Sequence, residues 1–170
     1  MPTDKIFEVM RTAALSTNPK DIGIKNLPQN KIAVFGVVMD IGYQEGAATL
    51  ITYNTGDASL YYSFGGGFTN GASRPEIKDA TIKFVAFAQT LVSRAQPVML
   101  QQTPLANINE INFYLLLNKG AFLLKTNINN IGSLSEFFQK ANAVITKINV
   151  HSEVKLKHKY FGGQQTARNK

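Results

Sequence analysis

The spacing of apolar residues predicts a helix at the start of the chain and a buried strand after it. Between residues 4 and 16 the apolar positions recur every three or four residues, and Thr3 or Asp4 is the expected N-cap. Residues 32–39 then form a short, continuous apolar run that is rich in β-branched side chains. Such a run is typical of a strand buried on both faces, so we expect it near the middle of a sheet.

Two hairpins are predicted further along the chain. Residues 47–53 and 58–64 are strand-like, and between them lies Asn54-Thr55-Gly56-Asp57, a turn in which Asn and Gly accept positive φ at little cost. Together with the buried strand before them they form a three-stranded meander. Residues 111–117 and 121–128 have the pattern of a second hairpin. Val98-Met99-Leu100 is a candidate for a further short strand.

Two more helices are predicted from capping boxes. Ser73 with Glu76, and Ser133 with Glu136, have the spacing in which the two side chains satisfy the first free amides of a helix. The first of these helices, which Pro97 ends, is apolar on two faces. It therefore needs the sheet on one side and the first helix, the last helix or a second protomer on the other. The second has a single apolar stripe, formed by Leu134, Phe137, Phe138, Ala141, Val144, Ile145 and Ile148.

These elements predict an α+β fold in the order α-βββ-α-ββ-α. We expect an antiparallel sheet of about five strands, made of the meander and the second hairpin and packed against the helices. The order of elements resembles the profilin and roadblock type of small sandwich. Residues 1–150 are predicted to form one domain, and residues 151–170 a basic C-terminal tail.

Composition narrows the class of protein. Of 170 residues, 44% are apolar and 17% are charged, which indicates a globular chain with few charges. Because cysteine is absent, disulfides, thiolate catalysis and thiolate metal sites are excluded. The N-terminus lacks the apolar core of a secretory signal, and the longest apolar run is too short to span a membrane. We expect a cytoplasmic protein that does not bind membranes.

The positive charge is concentrated at the C-terminus. The net charge is +7, and residues 151–170 contribute +4 of it, with five basic residues against one acidic residue. Lys155, Lys157 and Lys159 precede Tyr160 and Phe161, and such interleaving of cations and aromatic rings is found in nucleic-acid binders. A tail that only improves solubility has the same composition. A nucleic-acid accessory role through the three lysines is therefore one alternative function.

A glycine-rich stretch is the most specific motif. Residues 66–73 read G-x-x-x-x-G-A-S, which is similar to a phosphate-binding loop with Ala72 at the position of the lysine. Without that lysine, NTP hydrolysis is disfavoured. The amides of the loop and the following helix N-terminus could still hold an anion or a nucleotide phosphate. A bent connection without any ligand is the competing interpretation. The candidate ligand-binding residues are Gly66, Gly67, Gly71, Ser73 and Arg74.

Residues for catalysis or metal binding are few. Asp40, Glu45 and Asp57 flank turns of the meander, and an acid–base pair could form if they converge, although turn acids are usually solvated. His151 and His158 are seven residues apart, which suits no metal site in a helix or a strand. No catalytic residue, metal or cofactor is predicted, and the balance is against an enzyme.

The leading hypothesis is a non-enzymatic binding or assembly module. Residues 84–91 and 111–117 are more apolar than a small sheet easily covers, and the chain carries few charges. We therefore expect a protein that self-associates or docks on a larger protein complex. Covering by another helix of the same chain is the competing interpretation of the apolar excess.

Overall fold

The computed structural model describes residues 3–151, which form an antiparallel sheet between two helical layers. The helices of this part are α1 (Lys5–Leu15), α2 (Pro75–Ala88) and α3 (Ser135–His151). The strands are β1 (Val34–Tyr43), β2 (Gly46–Tyr53), β3 (Ala58–Tyr62), β4 (Gly67–Phe68), β5 (Gln96–Val98), β6 (Glu110–Leu117) and β7 (Gly120–Asn127). The predicted α+β class and antiparallel sheet are confirmed.

The strand order is β4-β3-β2-β1-β6-β7-β5, and every neighbouring pair is antiparallel. β1 is the central strand, as its apolar run predicted, and Val37, Val38 and Met39 in it have no exposed surface. Both predicted hairpins are present: β2 and β3 flank the turn at residues 54–57, and β6 pairs with β7 along its whole length.

The sheet has seven strands where the sequence predicts about five. The two additional strands, β4 and β5, are edge strands of two and three residues, too short for a periodic pattern. β5 lies at residues 96–98, which corrects the expected strand at residues 98–100. Pro97 sits inside β5 rather than simply ending a helix. Because β5 pairs on one side only, the missing amide of Pro97 is tolerated there.

Each face of the sheet has its own core. α2 and α3 pack on one face, where Phe84, Phe113 and Phe137 stack with ring centroids 4.7 Å apart in two pairs. α1 packs on the other face through Phe7, Ala14 and Leu15. α3 thus covers α2 around Phe84 and Phe87, one of the three coverings that the sequence allows, whereas Ile82 on the second apolar face of α2 remains 40% exposed. The apolar excess at residues 84–91 and 111–117 is buried within the chain.

The helix starts differ from the capping boxes. Asp4 caps α1 as predicted, since its Oδ1 accepts from the Phe7 amide at 3.0 Å. Both serine boxes are wrong, because a 3-10 turn at residues 71–73 or 132–134 delays each helix by one residue. Ser73 Oγ instead donates to the Asn70 carbonyl at 2.8 Å, and Ser133 Oγ accepts from Arg94 Nη2 at 2.6 Å. A membrane-crossing helix is not found among the described residues.

Candidate functional site

A buried ion pair fixes α1 to the centre of the sheet. Arg11 Nη2 lies 2.6 Å from Asp40 Oδ2, and Arg11 Nε donates to both carboxylate oxygens at 3.0 and 3.1 Å. The same Nη2 also donates to the carbonyls of Thr103 and Pro104, at 2.9 and 3.2 Å. One guanidinium therefore joins the helix, the central strand and the loop before β6.

The strand register places further polar side chains beside Asp40. Its cross-strand neighbours are Thr49 on β2 and Asn112 on β6, and all three are fully buried. Thr49 Oγ1 donates to Asp40 Oδ1 at 2.6 Å. Tyr114 Oη donates to the Pro104 carbonyl at 2.6 Å, and the Arg11 guanidinium lies 5.6 Å from the centre of the Tyr114 ring. These residues form a polar cluster within an otherwise apolar layer.

Burial controls the electrostatics of this cluster. Burial raises the pKa of the Asp40 carboxyl above its usual range, while the Arg11 guanidinium and the Thr49 hydroxyl lower it in part. For Arg11, burial lowers the pKa, but the hydrogen bonds and the attraction of Asp40 outweigh it, so the pKa of Arg11 is raised. Burial also raises the pKa of Tyr114 to about 12, which keeps its hydroxyl protonated as a donor.

The cluster is an anchor rather than a reaction centre. Asp40 has no exposed surface, and its carboxylate is occupied by Arg11 and Thr49, so a substrate cannot reach it. The loop that Arg11 holds also lies close over β1, where a Cβ on Gly42 would overlap the Asn107 carbonyl. What the anchor achieves is a rigid α1, whose outer side then faces solvent in a fixed orientation.

The outer flank of α1 is apolar, and the part of the chain that the structure describes does not cover it. Ile6 is 67% exposed and Val9 is 62% exposed, and Ala13 is exposed beside them. Their spacing of three and four residues places them on one side of the helix, away from the buried Phe7 and Leu15. We call Ile6, Val9 and Ala13 the α1 flank. It is the candidate functional surface of residues 3–151.

Backbone geometry and close packing explain why residues 65–71 are rich in glycine. Gly65 and Gly66 have φ of +102° and +85°, as the turn from β3 into β4 requires. A Cβ on Gly67 would overlap the Leu60 carbonyl, and one on Gly71 would lie 2.8 Å from Ile77 Cγ2. These glycines therefore permit tight packing of the loop against β3 and α2.

Ser73 and Arg74, the remaining candidates of the loop, do not share a hydrogen-bond partner. Ser73 Oγ donates to the Asn70 carbonyl, and Arg74 occupies the N-cap position of α2 without a side-chain capping bond. The Ala72 amide donates to Asp57 Oδ1 at 3.4 Å, so a carboxylate already lies at the loop. That negative charge disfavours a second anion at the same amides.

The three turn acids do not converge. Asp40 lies inside β1 rather than at a turn. Glu45 lies in the turn between β1 and β2, and Asp57 lies in the turn between β2 and β3, at opposite ends of the eight-residue β2. Eight strand residues span about 26 Å. The topology therefore keeps Glu45 and Asp57 apart, and the Asp40 carboxylate is already bound by Arg11 and Thr49.

The structure describes only some of the residues named in the histidine and tail predictions. His151 ends α3 and pairs with Glu76 on α2. Within residues 3–151, groups of three or more metal-ligating side chains are not found. His158, Lys155, Lys157 and Lys159 lie outside the described residues.

Sequence reasoning missed most of the anchor. Arg11 follows Phe7 by one helical turn, so it falls on the buried side of α1 among apolar residues. Asp40 interrupts an apolar run, between Met39 and Ile41. A charge at a buried position needs an opposite charge, and these two anomalies could have been paired. Thr49, Asn112 and Tyr114 give no such indication, because their roles depend on the strand register.

Comparison with known proteins adds no family. Neither a family model, a curated protein nor a solved structure matches this chain. The function must therefore be argued from the geometry of the described residues.

Proposed function

We propose that the protein is a non-enzymatic binding or assembly module that associates with a protein surface through the α1 flank, a second copy of the chain being the first candidate. The observation that carries the proposal is the exposure of Ile6 and Val9, at 67% and 62%, on a helix that a buried ion pair holds in place. An apolar patch on a rigid helix loses little conformational freedom when a partner covers it.

The expected strength follows from the buried area. Ile6 and Val9 on two copies are four side chains, each about two-thirds exposed, so covering them contributes roughly 4 to 8 kcal/mol at about 1.5 to 3 kcal/mol for a fully buried aliphatic side chain. Association itself costs at least about 4 kcal/mol. The net gain is therefore at most about 4 kcal/mol, which corresponds to a dissociation constant of about 1 mM. Self-association through the flank alone is weak and reversible, and we expect to detect it near millimolar concentration.

The experiment measures molar mass by light scattering during size exclusion, over a range of concentrations. The wild-type chain should show concentration-dependent dimers, and Ile6→Ser with Val9→Ser should remain monomeric. Ile82→Ser with Val150→Ser is the matched control, since it removes two other exposed apolar side chains, 40% and 75% exposed, on α2 and α3. A wild-type chain that shows no association at about 1 mM and above would contradict self-association.

Cross-linking gives a second, geometric test. Because the chain has no cysteine, Val9→Cys introduces a single thiol at the centre of the flank. In a symmetric pair of α1 helices the two thiols face each other, so mild oxidation should yield a covalent dimer. Ile82→Cys is the control and should stay monomeric. Equal cross-linking of both variants would show random collision instead of a specific interface.

The other functional hypotheses have no supporting observation of their own. Anion or phosphate binding at the glycine loop is disfavoured, because the Ala72 amide already donates to the Asp57 carboxylate. Nucleic-acid binding concerns lysines outside the described residues. The likeness to profilin and roadblock sandwiches rests on element order, is not confirmed by the comparisons, and carries no weight in the proposal.

A further inference from the structure

Within residues 3–151, half of the sheet face under α1 has no helix above it. α1 contacts β1, β2 and β3. A helix is about 10 Å wide, whereas seven strands span about 30 Å, so one helix cannot cover this face. Besides α1, the core of this face is covered by side chains from connecting segments: Ile22, Ile24 and Leu27 from the segment after α1, and Leu105 from the loop before β6.

This incomplete cover leaves a cleft of about 450 Å³. It lies between the C-terminal end of α1, the loop after it and strands β5 to β7. Its floor is apolar and made of buried side chains, including Phe35, Leu116 and Ala121. Ile24 and Leu100 form part of its walls. The volume of the cleft and its apolar floor are typical of pockets that bind small, largely apolar molecules.

The charge at the cleft is entirely positive. Lys20 and Lys25 line it, and none of its lining residues is acidic. Asp21 is next to Lys20 in sequence but does not line the cleft. Within the described part of the chain, neither lysine forms an ion pair. At the C-terminal end of α1, Ser16 and Thr17 donate hydrogen bonds to the carbonyls of residues 12, 13 and 14, so the partial negative charge of the helix end offsets the two lysines only in part.

We propose that this cleft binds a small anionic amphiphile: a carboxylate that carries an apolar body of about ten carbon atoms. The apolar body lies on the floor of the cleft, and the carboxylate lies at Lys20 and Lys25. Lysine holds an anion as a point charge and does not require a fixed geometry, which suits a flexible ligand at an open mouth. This site is separate from the α1 flank and does not depend on self-association.

Three probes that share one apolar chain separate the two parts of the proposal. Decanoate, neutral decanol and decyltrimethylammonium are titrated below their micellar concentrations into the isotopically labelled full chain, and amide shifts are followed by NMR. Decanoate should bind most tightly and shift the amides around Leu116, Ala121 and Lys20. Equal affinity for all three probes, or shifts spread over the surface, would overturn the proposal.

Charge variants test the role of the lysines. Lys20→Gln with Lys25→Gln should weaken decanoate binding about fivefold and leave decanol unchanged, since an exposed ion pair is weak. Lys83→Gln with Lys147→Gln, on α2 and α3 across the sheet, is the control of equal charge and should have no effect. Leu100→Glu places a carboxylate at the cleft and should reverse the preference toward decyltrimethylammonium. Unchanged decanoate affinity in the first and third variants would refute the site.

Discussion

Asp40 is the residue whose environment constrains substitution most strongly. It has no exposed surface, and Arg11 beside it has only 12% of its side chain exposed. Desolvating two charges is costly, and only their mutual attraction and hydrogen bonds offset that cost. The pair therefore contributes little net stability compared with two apolar residues, yet neither partner can be removed alone.

We predict that Asp40→Asn and Arg11→Met each lower the free energy of unfolding by about 3 to 5 kcal/mol, because each leaves a buried group without its partner. The double variant Arg11→Met with Asp40→Leu should lose clearly less than the sum of the two. Urea unfolding of the three variants measures these differences. Asp79→Asn on the exposed pair with Lys83 is the control and should cost less than about 0.5 kcal/mol. A loss below about 1 kcal/mol in both single variants would contradict the anchor.

At the scale of elements, the spacing of apolar residues predicted those strands and helices that depend on interactions between residues close in sequence. The central strand, both hairpins and the stripe of α3 depend on periodicity within a few residues, and all are observed. β4 was missed, and β5 was expected two residues too late, because a strand of two or three residues exists only through its neighbour. The capping boxes failed because a 3-10 turn precedes each helix and shifts its start, and the sequence pattern does not distinguish the two arrangements. The α1 flank was visible in the sequence as apolar spacing, but its exposure was not.

The corrected helix starts lead to a prediction about capping. Asp4→Ala should lower the free energy of unfolding by about 1 kcal/mol, because Asp4 accepts from the Phe7 amide at the start of α1. Ser73→Ala and Ser133→Ala should each cost less than about 0.5 kcal/mol, since neither side chain caps its helix. Thermal unfolding of the three variants provides the comparison. Equal losses in all three variants would show that Ser73 and Ser133 do cap their helices.

At the scale of the whole molecule, the two cores share one sheet, so they should unfold together. Tyr62 lies in the core under α2 and α3, and Tyr114 lies on the α1 face of the sheet. Burial raises the pKa of each to about 12, from an ordinary value of 10. A single probe, tyrosine ionisation, therefore reports on both layers at once.

The sign of the alkaline effect follows from these pKa values. Between pH 10 and about 12 the unfolded chain releases the tyrosine protons while the folded chain retains them, so the free energy of unfolding falls as pH rises through this window. Each tyrosine contributes about 2 to 3 kcal/mol to the loss. Tyr114→Phe should make the decline shallower and, by removing the donor to the Pro104 carbonyl, should also lower stability at neutral pH by about 1 kcal/mol.

Absorbance of tyrosinate measures the ionisation directly, and the absence of tryptophan leaves its near-ultraviolet band free of overlap. In urea the tyrosines should titrate near their ordinary pKa. In the native protein Tyr62 and Tyr114 should ionise in one step that coincides with loss of secondary structure, because neither hydroxyl can become charged while its layer stays packed. Two separate steps would mean that the α1 layer opens while α2 and α3 remain on the sheet. In that case the Arg11–Asp40 pair would not couple α1 to the rest of the fold, and the rigid presentation of the α1 flank would fail with it.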